Sequence, residues 1–208
     1  MKTNIIISFS MMLFMISCTS SQITNSWKSE NIPEKKFNKI MVVGIIAGSD
    51  WALREKMETH LVGDLAAKGY EAVSAIKVYG PKNFENLKEA EVLDKLSGLG
   101  VDAVVTIVLL DKERERYYVP GKVFYSPYTI YQRNFWGYYT TIYERIYTPG
   151  YYQVNTRYFW ESNFYDLRNR NLLYAVHTES FDPDSMDALA HEYGLLIVNN
   201  MAKKGVLK

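Results

Sequence analysis

Two hydrophobic rhythms run along this chain. Residues 39–46 read Lys-Ile-Met-Val-Val-Gly-Ile-Ile, a short branched run that suits a strand buried on both faces. Leu53, Met57, Leu61 and Leu65 then recur at helical spacing within residues 51–68. Ser49 or Asp50 is placed to cap that helix and Gly69 to end it. Residues 70–76 predict a second, shorter strand, and Pro81 marks a loop. Residues 87–97 predict a second helix whose buried stripe is Leu87, Ala90, Leu93 and Leu96, stopped by Gly98. Residues 101–110, Val-Asp-Ala-Val-Val-Thr-Ile-Val-Leu-Leu, are a third strand, again apolar on both faces. Strand, helix, strand, helix, strand at these spacings predicts parallel pairing through right-handed crossovers.

The rhythm changes after Leu110. Residues 111–116 alternate in charge and carry the third strand out into solvent. Residues 117–160 hold twelve of the chain's 17 tyrosines, interrupted by Pro120, Pro127 and Pro149. Residues 138–147 and 151–167 predict two strands joined by Thr148-Pro149-Gly150. The second alternates: Tyr152, Val154, Tyr158, Trp160 and Phe164 share one face. Gln153, Asn155, Arg157, Glu161 and Asn163 share the other, with Phe159 the exception. Asn169-Arg170-Asn171 is a turn, and residues 172–180 return with Leu172, Tyr174 and Val176 toward the core. Asp182 or Asp184 caps a last helix with Pro183 early in it, Leu189, Tyr193, Leu196 and Ile197 as its stripe, and Gly205 at its end. The expected fold is a single α/β domain: a mixed sheet with a βαβαβ parallel part, an antiparallel Tyr-rich hairpin and a C-terminal helix.

The N-terminus reads differently. Lys2 is followed by a mostly apolar run over residues 5–16, then Ser17 and the single cysteine, Cys18. Twelve residues are too few for a transmembrane helix, which needs about 20. The tetrapeptide Met15-Ile16-Ser17-Cys18 resembles the lipobox of bacterial lipoproteins, and Met15 departs from the usual Leu. Residues 1–17 are therefore expected to be a signal peptide and Cys18 a lipidated residue. Residues 18–36 lack periodicity and are expected to be a tether. Residues 37–208 are then the α/β domain in the periplasm, with an aromatic-rich insertion over about 117–150. Thr19, rather than an Asp, follows Cys18, which favours the outer membrane.

Composition excludes several function classes. The net charge is +1 and Lys2 accounts for it, so the domain lacks the basic excess that holds nucleic acid. Neither G-x-G-x-x-G nor a P-loop stands at a strand-to-helix turn, so no nucleotide is expected. No cysteine besides Cys18 is present, which rules out thiol catalysis. His60 and His191 belong to no zinc motif, and His177 with Glu179 reads as a solvated surface pair, so no metal and no cofactor are expected. Arg54 and Glu58 lie one helical turn apart. The bland reading, favoured here, is a surface pair contributing about 0.2–0.5 kcal/mol; the alternative is a buried polar pair in a site. The candidate binding residues are Tyr125, Tyr128, Tyr131, Phe135 and Trp136, a loop whose aromatics suit a glycan or an envelope protein.

The motifs carry a resemblance. They begin with Asn25-Ser26-Trp27-Lys28 and Arg54-x-x-x-Glu58, and continue through Gly69-Tyr70-Glu71-Ala72 and Tyr118-Val119-Pro120-Gly121 to Asp182-Pro183-Asp184-Ser185. Over nearly the whole chain after Cys18 they resemble a widespread group of Gram-negative lipoproteins without an assigned activity. The resemblance implies an α/β periplasmic module similar to the N-terminal domain of TolB, and it brings no catalytic residue. The function expected is that of a non-enzymatic envelope module anchored in the outer membrane; the alternative is a glycan- or peptidoglycan-binding lipoprotein.

Overall fold

The computed structural model describes residues 20–47, 50–82, 84–119 and 151–208. In chain order these form β1 (Ser21–Lys28), β2 (Lys39–Ile45), α1 (Trp51–Ala67), β3 (Glu71–Ser74) and α2 (Ala75–Tyr79). Next come α3 (Glu89–Gly98), β4 (Ala103–Val119), β5 (Tyr151–Asp166), β6 (Asn171–Phe181) and α4 (Met186–Lys203). The described strands make one sheet in the order β1-β6-β5-β4-β2-β3. β2 pairs in parallel with β3 and β4, whereas β6 pairs antiparallel with β5 and β1. The mixed α/β architecture read from the pattern is therefore the one observed.

The described residues fall into two compact units, one up to Lys112 and from Arg157 to Lys208, the other Glu113–Thr156. In the first, α1 and α4 pack together over one sheet face. Their buried residues, including Leu53, Met57, Leu61, Leu65, Tyr193 and Ile197, meet Ile40, Val42, Val105, Trp160 and Tyr174 from the strands. On the opposite face a smaller cluster joins Met41, Val43 and Val104 to Ala75, Leu96 and Val101. In the second unit the ends of β4 and β5 place Arg116 4.1 Å from the centre of the Tyr152 ring and Tyr118 5.3 Å from it.

Several local expectations are corrected. Ser21–Lys28, expected within a tether, is an edge strand: it pairs along β6 from Ser21↔Ser180 to Lys28↔Tyr174. The strand expected over 70–76 stops at Ser74, because the Ser74 hydroxyl accepts from Lys77 N (3.2 Å) and turns the chain into α2. On α3, Ala90 is exposed, and Leu96 is buried with Val92 packed beside it. Ser185 caps α4 in place of Asp182 or Asp184, its hydroxyl accepting from Ala188 N at 3.0 Å, so Pro183 precedes the helix. On β6, Leu173 is buried where Leu172 was expected. The register slips between Phe164 and Tyr165, leaving one extra residue on β6. Tyr152 and Val154 are exposed, since they belong to the second unit and lie beyond the paired length of β6.

Candidate functional site

The most elaborate polar arrangement among the described residues stands at the C-terminal ends of β2 and β3. Glu58, on the buried stripe of α1, is 0 % exposed. Its Oε1 accepts from Gly44 N (2.8 Å) and Arg54 Nε (3.2 Å). Its Oε2 accepts from the Ser74 hydroxyl (2.6 Å) and Ile76 N (2.9 Å). Arg54 Nη1 continues to the carbonyl of Pro81 (2.8 Å). The surface-pair reading of Arg54 and Glu58 is thus overturned: Glu58 is buried, Arg54 is partly so, and the pair ties three elements together. Gly44 makes room for it. A Cβ there would stand 2.7 Å from Arg54 Cγ and 3.0 Å from Glu58 Oε1. The sequence carried one signal, a glycine inside an otherwise branched buried strand, where it often marks close approach of another group.

This carboxylate is poorly placed for chemistry. Four donors already engage it and it is 0 % exposed, whereas a general base needs reach to a substrate proton. A concavity of about 500 Å³ is lined by Trp51, Glu55, Ile76, Lys77 and Pro81. The arrangement acts as a clasp that fixes the β3–α2 corner to β2 and α1.

The histidines do not gather into one site. His60 and His191 meet edge to face, 5.9 Å between ring centres, across the α1–α4 contact. Asp64 lies beside them with Oδ2 buried. Burial pushes its carboxyl up from the ordinary range, and His191 and His60 partly oppose that. His177 pairs with Glu161 (2.8 Å) rather than Glu179, which instead meets Arg157 (3.2 Å). The hydrogen bond from His177 holds the Glu161 carboxyl below its ordinary value. Among the described residues no group of three or more His, Cys, Asp or Glu converges as a metal site.

The α1–α4 contact depends on Gly194. A Cβ at that position would stand 2.2 Å from Asp64 Oδ2 and 3.5 Å from the Leu61 backbone nitrogen. Gly194→Ala is expected to lower stability by about 1–3 kcal/mol through overpacking, although alanine is the better helix former. A urea titration showing an unchanged or raised midpoint would mean that Asp64 swings away freely.

Cys18 and the aromatic residues Tyr125, Tyr128, Tyr131, Phe135 and Trp136 lie outside the described residues. Ser20, two residues after Cys18, is already tied into the fold. Ser20 donates from both its amide and its hydroxyl to Glu192 Oε2, each at 2.8 Å. Phe181 N donates to Ser20 O (2.8 Å), and the Ser21 and Ser180 hydroxyls meet at 2.7 Å. Glu192 is one of two carboxylates on α4, and nothing in its local sequence marks it as the partner of a residue 172 positions away.

No protein-family model matches the chain, and no curated protein is significantly similar to it. Solved structures are similar to it only at a distance. The PelC dodecamer from Paraburkholderia phytofirmans is 8% identical, with a TM-score of 0.45 over 86% of this chain and 94% of that one. Lipoprotein GNA1162 from Neisseria meningitidis is 16% identical, with a TM-score of 0.44 over 80% of this chain and 99% of that one. A PDZ domain protein from Parabacteroides distasonis is 10% identical, with a TM-score of 0.39 over 93% of this chain and 39% of that one.

Proposed function

We propose that this chain is a non-enzymatic envelope module, held by a lipid on Cys18 at the periplasmic side of the outer membrane. The observation that carries the reading is the join between anchor and fold. The signal-like segment ends at Cys18, and the sheet is already hydrogen-bonded at Ser20. A lipid there holds the domain itself against the bilayer, with no free tether between them. None of the described helices is long and apolar enough to cross a membrane. The saturated Glu58 clasp supports a structural rather than a catalytic role for the buried charge.

Two or three acyl chains, at about 0.8 kcal/mol per buried CH₂, make such attachment stable. Metabolic labelling with a fatty-acid analogue is expected to tag the wild type and to miss Cys18→Ser. The labelled protein is expected to fractionate with the outer membrane. Equal labelling of both proteins refutes the anchor, and fractionation with the inner membrane refutes the placement.

A further inference from the structure

We propose that the α1–α4 contact is a proton-sensitive joint centred on Asp64. It is loose when the carboxylate stands charged and alone, and firm when acid brings protons to it and to the two histidines beside it. The proposal is independent of the lipid anchor and concerns how firmly α4 is seated.

The first observation is the layout. Lys56 meets Asp187 (2.6 Å), His60 meets His191 (5.9 Å between ring centres), and Asp64 meets Gly194. The pairs advance together, so the two helices run in the same direction and their ionisable groups form one row. Asp64 Oδ2 is buried there without a hydrogen-bond partner. It lies against Gly194, which has no side chain to donate to it. A charged oxygen that is shut off from water and accepts no hydrogen bond costs free energy, and a protonated carboxyl escapes that cost. Burial accordingly pushes the Asp64 carboxyl up from its ordinary range, and His191 and His60 partly oppose the rise.

The second observation is what surrounds the row. Among the described residues no lysine or arginine pairs with Asp64. Lys56 is engaged by Asp187, which also stands 3.8 Å from His60 Nε2. Glu55 and Lys77 line the same hollow as Lys56, His60 and Asp187, at the far end of the row from Asp64. Glu192, beside His191, is held by Ser20. Beneath the helices the sheet presents Ile40, Val42, Val105 and Trp160, none of them charged. The two imidazoles are thus the groups placed to offset the Asp64 charge. Histidine gains its own charge between about pH 8 and pH 5.

The direction of the response follows. A carboxyl raised in the folded state contributes stability that is complete at low pH and lost as pH rises through its folded value. Positive imidazoles beside the carboxylate act in the same sense, because they too arrive as pH falls. Repulsion between two charged rings works against this, and Asp187 at one end and Asp64 at the other offset it. The joint therefore tightens in acid and loosens in alkali. α4 is also the helix whose Glu192 holds Ser20, so the joint sets the footing of the element to which the residue before β1 is tied.

The test uses urea titrations of the full chain at pH 5, 6.5 and 8 and fixed ionic strength. The quantity read is the folding equilibrium constant of the wild type divided by that of Asp64→Asn. Groups remote from Asp64, the His177–Glu161 pair included, cancel in that ratio. It is expected to fall about tenfold from pH 5 to pH 8, with Asp64→Asn the more stable protein at pH 8. In a His60→Gln, His191→Gln background the fall is expected to be smaller. A ratio that stays constant overturns the proposal, as does a fall of the same size without the two imidazoles. Carbon-13 NMR of the Asp64 carboxyl in the wild type needs no substitution. Its titration midpoint is expected above that of an exposed aspartate, and a midpoint at or below it overturns the proposal. Neither measurement involves Cys18, so failure here leaves the anchor standing.

Discussion

Glu58→Ala is expected to lower the unfolding free energy by about 3–5 kcal/mol, the cost typical of removing one partner from a buried charge pair. The substitution deletes the acceptor for four donors: Gly44 N, Arg54 Nε, the Ser74 hydroxyl and Ile76 N. Two of these are backbone groups, Gly44 N on β2 and Ile76 N in the first turn of α2, and an unsatisfied buried donor costs about 1–3 kcal/mol. Arg54, with a side chain only 12% exposed, keeps its charge but loses its counter-charge. Glu58→Gln is the informative companion. It keeps an acceptor for Gly44 and Arg54 but places an amide NH₂ against Ile76 N, so it is expected to cost less than Ala and more than a surface change. Urea titrations of both variants check this. A Glu58→Ala midpoint within error of the wild type would mean that the clasp contributes nothing net, its desolvation cancelling its bonds.

A chain beginning at Lys36 is expected to be less stable than one beginning at Thr19, by on the order of 4 kcal/mol. Seven register pairs join β1 to β6, and each net hydrogen bond contributes about 0.5–1.5 kcal/mol, set against the entropy of ordering the strand. Ile23 packs on the core, and Lys204 Nζ donates to Ser26 O at 3.0 Å. The Ser20–Glu192 bonds would also be lost. Without β1, β6 becomes the sheet edge with unpaired backbone groups such as Leu173 O and Phe181 N, which now pair with Ser29 N and Ser20 O, a template for edge-to-edge association. The shortened chain is therefore expected to scatter light at concentrations where the longer one does not. Identical denaturation midpoints would restore the tether reading of residues 18–36.

These two predictions mark the boundary of what local pattern reveals. α1 announced itself: Leu53, Met57, Leu61 and Leu65 are buried because a helix needs one apolar stripe, and a stripe is visible at spacing 3–4. β2 and the start of β4 did so too, because a strand covered on both faces must be a continuous apolar run. Their spacing with helices between then implied parallel order, which the β2–β3 and β2–β4 pairings show.

β1 had no such signature. Of its eight residues only Ser21 is buried, since an edge strand has one neighbour and open faces, and backbone pairing leaves no mark on side-chain hydrophobicity. Glu58 was hidden for a related reason. Glu at i+4 from Arg is written identically on a solvated helix and on a buried one, and only the gap at Gly44 and the corner at Ser74–Ile76 separate the two. Leu173 was missed because a register slip shifts the alternation by one residue. The sequence by itself determined the class of fold, the two long helices and the parallel core, all of which follow from which side of each element avoids water. The tertiary structure alone decided the edge strand, the buried clasp and the tie between Ser20 and Glu192, because each depends on partners far along the chain.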